Sequence, residues 1–351
     1  MCKRGSFLIF LVLFLFVSLS AYAKEDPMSL LSGDFVGVGS VNMERFTKRA
    51  LYDDVMKLVL TDARAADTLK RIESQGFDIK KDISRIVVGV PADVERREHI
   101  IIWESKKELS KLESVFEGDG IEKREHNGMS YFAYTRDNIC VAILGKMMVQ
   151  GSELKVKSVL DTKKAGRAEQ PISKSSLLNS QVKAADTKKD AWFAFVVPSR
   201  IQKRLAADDP ILSDPVTGAA LRLSEVKAGR VAIDFASGLT ADSVISVVSK
   251  ESAASDAQML DLTLKQAAEM EELKAMQLTP VINGVKVSSK DSNLKVSLKL
   301  SQSEFDTVKS LVTNLAQGAP MALPASAPKS AAPKKAESPA AEPAPVAAPQ
   351  N

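Results

Sequence analysis

In the tetrads Ser152-Glu153-Leu154-Lys155 and Ser224-Glu225-Val226-Lys227 a serine stands three residues ahead of a lysine. At that spacing a serine hydroxyl can be activated for acyl transfer, as in penicillin-recognising enzymes. Those enzymes also carry S-D-N and K-T-G segments, and this chain has neither. A pattern this short arises readily by chance in a chain rich in serine and lysine. No G-x-S-x-G elbow is present. Paired acids at Asp53-Asp54 and Asp208-Asp209 could share acid and base roles, but adjacent acids on helices and turns are usually solvated.

The other chemistry-bearing residues are as sparse. The chain has two histidines, His99 and His126. Each sits in a charged stretch without a second His or Cys at zinc-ligand spacing, so both read as surface residues. Asp78 and Asp82 lack neighbouring ligands and read as turn and cap residues. Gly37-Val38-Gly39 begins like a dinucleotide fingerprint, but Asn42 stands where the third glycine belongs. These glycines read as a place where a helix packs closely. Cys140 lies in the apolar run Ile139 to Leu144 and reads as a buried small hydrophobe, not a nucleophile. The sequence thus nominates no catalytic, metal-binding or cofactor-binding residue. We expect no cofactor and no enzymatic activity.

The elements around these residues carry more information. Residues 1–23 have the form of a signal peptide: Lys3 and Arg4, an apolar run from Phe7 to Leu19, and Ala21-Tyr22-Ala23 before Lys24. The rival is an uncleaved N-terminal anchor. Cys2 precedes the apolar run, whereas a lipoprotein cysteine would follow it. The formal net charge of +4 loses Lys3 and Arg4 with the signal, so the exported chain is near neutral and nucleic-acid binding gains no support. Residues 319–351 are Ala, Pro, Ser, Lys and Glu with almost no large apolar side chain. Such a segment cannot bury enough surface to offset its ordering entropy, so it reads as disordered and dispensable for folding.

Between these ends the chain reads as one unit written twice. The first unit is 24–165, a polar connector is 166–190, and the second unit is 191–318. Phe35 to Val41 is a strand, and Asn42 can cap the helix that follows. Ala191 to Val197 is its counterpart, with a helix after Pro198-Ser199. In each unit further strands and helices follow in similar order, and Val156-Lys157-Ser158-Val159-Leu160 near one close matches Val308-Lys309-Ser310-Leu311-Val312 near the other. The alternative is one α+β domain with accidental internal likeness. Ser105 with Glu108, and Ser301 with Glu304, have the spacing of capping boxes. Leu294, Val296, Leu298 and Leu300 alternate with Lys295, Ser297 and Lys299, the pattern of a strand with one wet face. The predicted fold is α+β: two similar units, each a largely antiparallel sheet with helices on one face.

Gly76-Phe77-Asp78-Ile79-Lys80-Lys81-Asp82-Ile83, leading into Arg85-Ile86-Val87-Val88, resembles a segment of secreted bacterial proteins built from two α+β repeat units. In those proteins a "G-x-D-x-x-x-D-I" link enters a central strand, and the second half reopens on a tryptophan-bearing strand, as Ala191-Trp192-Phe193-Ala194-Phe195 does here. The resemblance implies an exported α+β repeat and brings no catalytic residues. The expected role is therefore a binding or interaction module of the bacterial envelope, periplasmic or secreted. Its partner would be an envelope or extracellular protein or polymer, with no nucleic acid and no membrane span after signal cleavage. Alternatives are a periplasmic hydrolase built from dispersed acids and serines, or a carrier of an apolar ligand. Export predicts a processed N-terminus at Lys24. N-terminal sequencing of the exported protein checks this, and a product beginning at Met1 or Cys2 indicates an anchor.

Overall fold

The computed structural model describes residues 26–31, 33–92, 99–118, 120–135, 138–166, 176–207 and 225–316. Residues 1–23, residues 319–351, Ser224 and the Asp208-Asp209 pair lie outside them. The described chain is α+β and is built on one antiparallel sheet. Its first seven strands are β1 (Phe35–Asn42), β2 (Ile83–Pro91), β3 (Ile100–Ser105), β4 (Ile121–His126), β5 (Met129–Tyr134), β6 (Ile139–Leu144) and β7 (Met147–Gly151). The others are β8 (Ala191–Val196), β9 (Val226–Asp234), β10 (Leu239–Val247), β11 (Val285–Lys290) and β12 (Asn293–Leu300). Their order in space is β11-β12-β10-β9-β8-β1-β2-β3-β7-β6-β5-β4.

From the central β1–β8 pair the sheet grows outward in chain order on both sides, then closes each wing in reverse order. The expectation of two units, each with its own sheet, is not confirmed. The opening strands of the two halves pair with each other, so a single sheet of twelve strands runs through both. The wings also differ, since β4 to β7 stand where the second half has only β11 and β12.

The central strands alternate cleanly between two cores. Ile86, Val88, Ile101, Phe132, Val141 and Ile233 enter one, while Val87, Ile100, Ile102, Tyr131, Cys140 and Ala232 enter the other. This is the period-2 consequence of the pleat. Helices therefore lie against both faces, where the sequence reading placed them on one. The first face carries α1 (Met43–Phe46), α2 (Ala50–Val59), α3 (Ala63–Ser74), α4 (Ile79–Asp82) and a 3-10 helix, Ser110–Phe116. The opposite face is covered by α5 (Glu153–Ala165) and α6 (Ser176–Ala184). Val156, Leu160 and Leu178 have no exposed surface, and burying each contributes about 1.5–3 kcal/mol. After β8 come α7 (Ser199–Ala207), α8 (Lys250–Glu269), α9 (Glu271–Ala275), α10 (Thr279–Asn283) and α11 (Gln302–Ala316). Ala253 of α8, Val281 of α10 and Phe305 of α11 all pack on the first face or its extension over Ile245.

Local signals behave unevenly. Asn42 caps α1, accepting the Arg45 N–H at 3.0 Å. Asp78 caps α4, and Asp82 accepts the Asp78 N–H at 2.8 Å and the Lys107 ammonium at 2.9 Å. Ser301 and Glu304 form the expected reciprocal box: Ser301 N–H donates to the Glu304 carboxylate at 2.7 Å, and Glu304 N–H donates to Ser301 Oγ at 3.4 Å. The Ser105 box does not form. Ser105 remains in β3, its N–H donating to the Lys146 carbonyl at 2.7 Å, and the 3-10 helix starts five residues later. Sheet pairing outcompeted the local cap. The polar connector also holds α6, whose Leu178 and Val182 pack on the sheet.

Gly37 and Gly39 make room for a ring, not for a helix. A Cβ on either would come within 2.6 or 2.7 Å of the Phe193 ring on β8. Gly229 on β9 does the same for Phe195. The two rings stack at 6.2 Å and both are half-buried, while Trp192 and Ala194 on the other face are buried. Gly39→Ala must displace the Phe193 ring and crowds the Trp192 carbonyl, so it is expected to cost about 1–3 kcal/mol. That cost should shrink in a Phe193→Ala background, which a denaturant double-mutant cycle reads directly. Equal costs in both backgrounds would show that the ring is not the obstacle.

Candidate functional site

The most deeply buried acid is Asp190, at the entry to β8, with no exposed surface. Arg45 Nε reaches one of its oxygens at 2.8 Å, and Arg49 grips both, at 2.8 and 3.0 Å. The Phe235 N–H adds a bond at 2.8 Å. Arg45 also reaches Asp234, at the end of β9, at 2.9 Å. The Asn42 N–H donates to the Asp190 carbonyl at 3.3 Å, extending the β1–β8 ladder by one step. Burial pushes the Asp190 carboxyl upward. The hydrogen bonds from Arg49, Arg45 and Phe235 outweigh it, and the net displacement is downward. This cluster joins the helices after β1 to the ends of β8 and β9. The Asp190 carboxylate is met on both oxygens within the fold, so the cluster holds the two halves in register.

A second cluster surrounds Glu153 at the start of α5. Lys157 approaches it at 2.8 Å, the Tyr131 hydroxyl donates at 2.6 Å, and Arg124 donates at 2.9 Å. The bonds from Lys157, then Tyr131, hold its carboxyl down at about 2. An acid so strongly ionised is a poor proton donor at neutral pH. His126 Nε2 lies 2.6 Å from Asp161, which ties β4 to α5. Burial pushes the Cys140 thiol up to about 11, so the nucleophilic thiolate is scarce.

The remaining sequence candidates are dispersed. Asp53 pairs with Lys80 at 3.1 Å, while Asp54 pairs with Lys309 of α11 at 2.6 Å, so the two neighbours serve different partners. Lys155 is committed to Asp34 and lies over the Phe35 ring at 5.2 Å, away from the serine-activating role. Among the described residues no group of three or more His, Cys, Asp or Glu could hold a metal.

One surface is built differently. Beyond β9 no described helix covers the face that α5 and α6 cover elsewhere, and β10, β12 and β11 present Thr240, Asp242, Val244 and Ser246, then Lys295, Ser297 and Lys299, then Lys286, Ser288 and Lys290. All four lysines are exposed, and none makes an ion pair among the described residues. Arg230 stands at the inner border, donating to Gln181 of α6 at 2.8 Å. The wet face of β12 was readable from its alternation. Thr279–Asn283 is α10 and β11 starts only at Val285, so the register that aligns the lysines of β11 with those of β12 comes from strand pairing alone.

Asp190→Asn should destabilise the protein by about 1–3 kcal/mol, because the arginines lose their buried carboxylate and keep only Asp234. Since the folded carboxyl lies below its unfolded value of about 3.9, its contribution is present above that pH and lost as pH falls through the folded value. Acid titration of the unfolding midpoint should therefore show less loss below about pH 4 in Asp190→Asn than in the unmodified protein. Cys140 should react with a thiol reagent only after denaturant is added. Full labelling of the native protein would contradict its burial.

No protein-family model matches the chain, and no curated protein matches it. Among solved structures it is similar to TP0453, a Treponema protein, in three crystal forms. Form I aligns with a TM-score of 0.42 at 10% identity, covering 83% of this chain and 98% of that one. Form III gives 0.46 at 9% over 84% and 100%, and form IV gives 0.47 at 10% over 84% and 98%. The likeness is a loose structural one.

Proposed function

We propose that the protein is an exported, non-enzymatic module of the bacterial envelope that holds a partner on the lysine-bearing face of its sheet. The observation that carries this reading is the contrast in charge use. Asp190, Glu153, Asp54 and Asp82 are all engaged by cations inside the fold. Among the described residues the lysines of β11 and β12 are not, and they share one surface that no described helix covers. Unpaired surface charge of one sign attracts a partner of the other. Export rests on the signal-like segment of residues 1–23, and no described helix is long and apolar enough to cross a membrane. A tagged protein should fractionate with the envelope and retain a partner from envelope extract in low salt, releasing it in high salt. Recovery in the cytoplasm would overturn the reading. So would turnover of an ester, phosphate or glycoside substrate that Glu153→Gln abolishes.

A further inference from the structure

The lysines of that face form an ordered row. Lys290 lies opposite Asn293, Ser288 opposite Lys295, and Lys286 opposite Ser297. Lys299 follows Ser297 by two residues on β12. Along the seam between the strands a lysine therefore occurs every second residue, alternately from β11 and β12: Lys290, Lys295, Lys286, Lys299. At about 3.4 Å per residue, successive lysines are about 7 Å apart along the strand, and the row is about 20 Å long. Across the strands each cation meets a hydroxyl or amide and never another cation, which avoids the repulsion of directly opposed like charges.

Protection of a sheet edge accounts for part of this. Lysines on an edge strand discourage pairing with another chain, and β11 is an edge. It does not account for Lys295 and Lys299, because β12 is paired on both sides. The counter-charges are few. Asp242 lies across β12 from Lys286, on the far side of Ser297, and Asp291 sits in the β11–β12 turn.

We infer that the β11–β12 seam binds a linear acidic polysaccharide. This rests on the reading of the protein as a binding module and names the partner's chemistry. A lysine ammonium is a compact point charge on a flexible stem, suited to a single carboxylate. Ser288, Ser297 and Asn293 fill the gaps between the charges and can exchange hydrogen bonds with sugar hydroxyls. The seam has no aromatic side chain on which nucleic-acid bases could stack. It has no large apolar side chain that could enter a bilayer. An extended chain with charges at intervals matched to the row engages all four lysines at once.

The test is fluorescence anisotropy of labelled polygalacturonate with the exported protein, beside neutral dextran, a thymidine oligonucleotide and anionic lipid vesicles. Polygalacturonate should bind in low salt, weaken as salt rises and outcompete the other three. Replacing Lys286, Lys290, Lys295 and Lys299 together by Gln should weaken binding about tenfold or more, since each exposed charge contributes little alone. Lys295→Gln with Lys299→Gln leaves the edge strand intact and should lose a clear part of that affinity, with thermal unfolding unchanged in both variants. Unchanged affinity in both variants, or equal binding of dextran, would falsify the inference. Tighter binding of the oligonucleotide or vesicles would overturn the assignment to a polysaccharide. If polygalacturonate fails while the fourfold variant still retains the envelope partner, the row is not the site and the module reading stands. If the unmodified protein retains no partner, that reading fails too.

Discussion

A carboxylate without access to water needs its charge met in place, and Asp190 meets this constraint with two arginines, one in α1 and one at the start of α2. Such a cluster is weak grounds for net stability, because desolvation offsets much of the attraction. Its consequence is positional. It sets where β8 begins, where β9 ends and how α1 and α2 leave β1. The Asn42–Asp190 backbone bond then continues the β1–β8 ladder. Register along that ladder is also enforced by shape, since the Phe193 ring lies over Gly37 and Gly39. A slip of one residue would send the ring to the opposite face.

Fusing the halves through their opening strands explains the uneven cover of the sheet. Near the centre both faces are packed, and the strands there are apolar on both sides. The Lys309–Asp54 pair ties α11, the last described helix, to α2 on the first face. Toward β11 the described helices lie on that face alone, and the other face is polar. The lysines, serines and asparagine of β11 and β12 make it so. Their regular alternation across the strands goes beyond what wetting the surface requires.

Charge also explains an element that hydropathy hides. β4 reads Ile-Glu-Lys-Arg-Glu-His, and nothing in it suggests a strand. It is nevertheless the edge beyond β5, where charged side chains blunt the exposed pairing groups. At the other end of the sheet β11 carries lysines in the same exposed position. The two outermost strands are thus among those whose sequences reveal least, because their role is to remain wet.

The sequence by itself determined what depends on neighbours within a few residues. The apolar runs of β1, β2, β6 and β8, the Asn42 and Asp78 caps, the Ser301 box and the alternation of β12 are all of this kind. It also showed that no familiar catalytic motif is present. Only the tertiary structure decided that the two halves share one sheet, that Ser105 stays in a strand, and that α6 lies in the connector. It alone brought Asp190 to Arg45, 145 residues away, and set Lys286 between Lys295 and Lys299. The physical reason is common to all of these. A cap or an amphipathic stripe is settled by local geometry, whereas strand pairing and buried ion pairs depend on which distant groups arrive, and no local pattern encodes that.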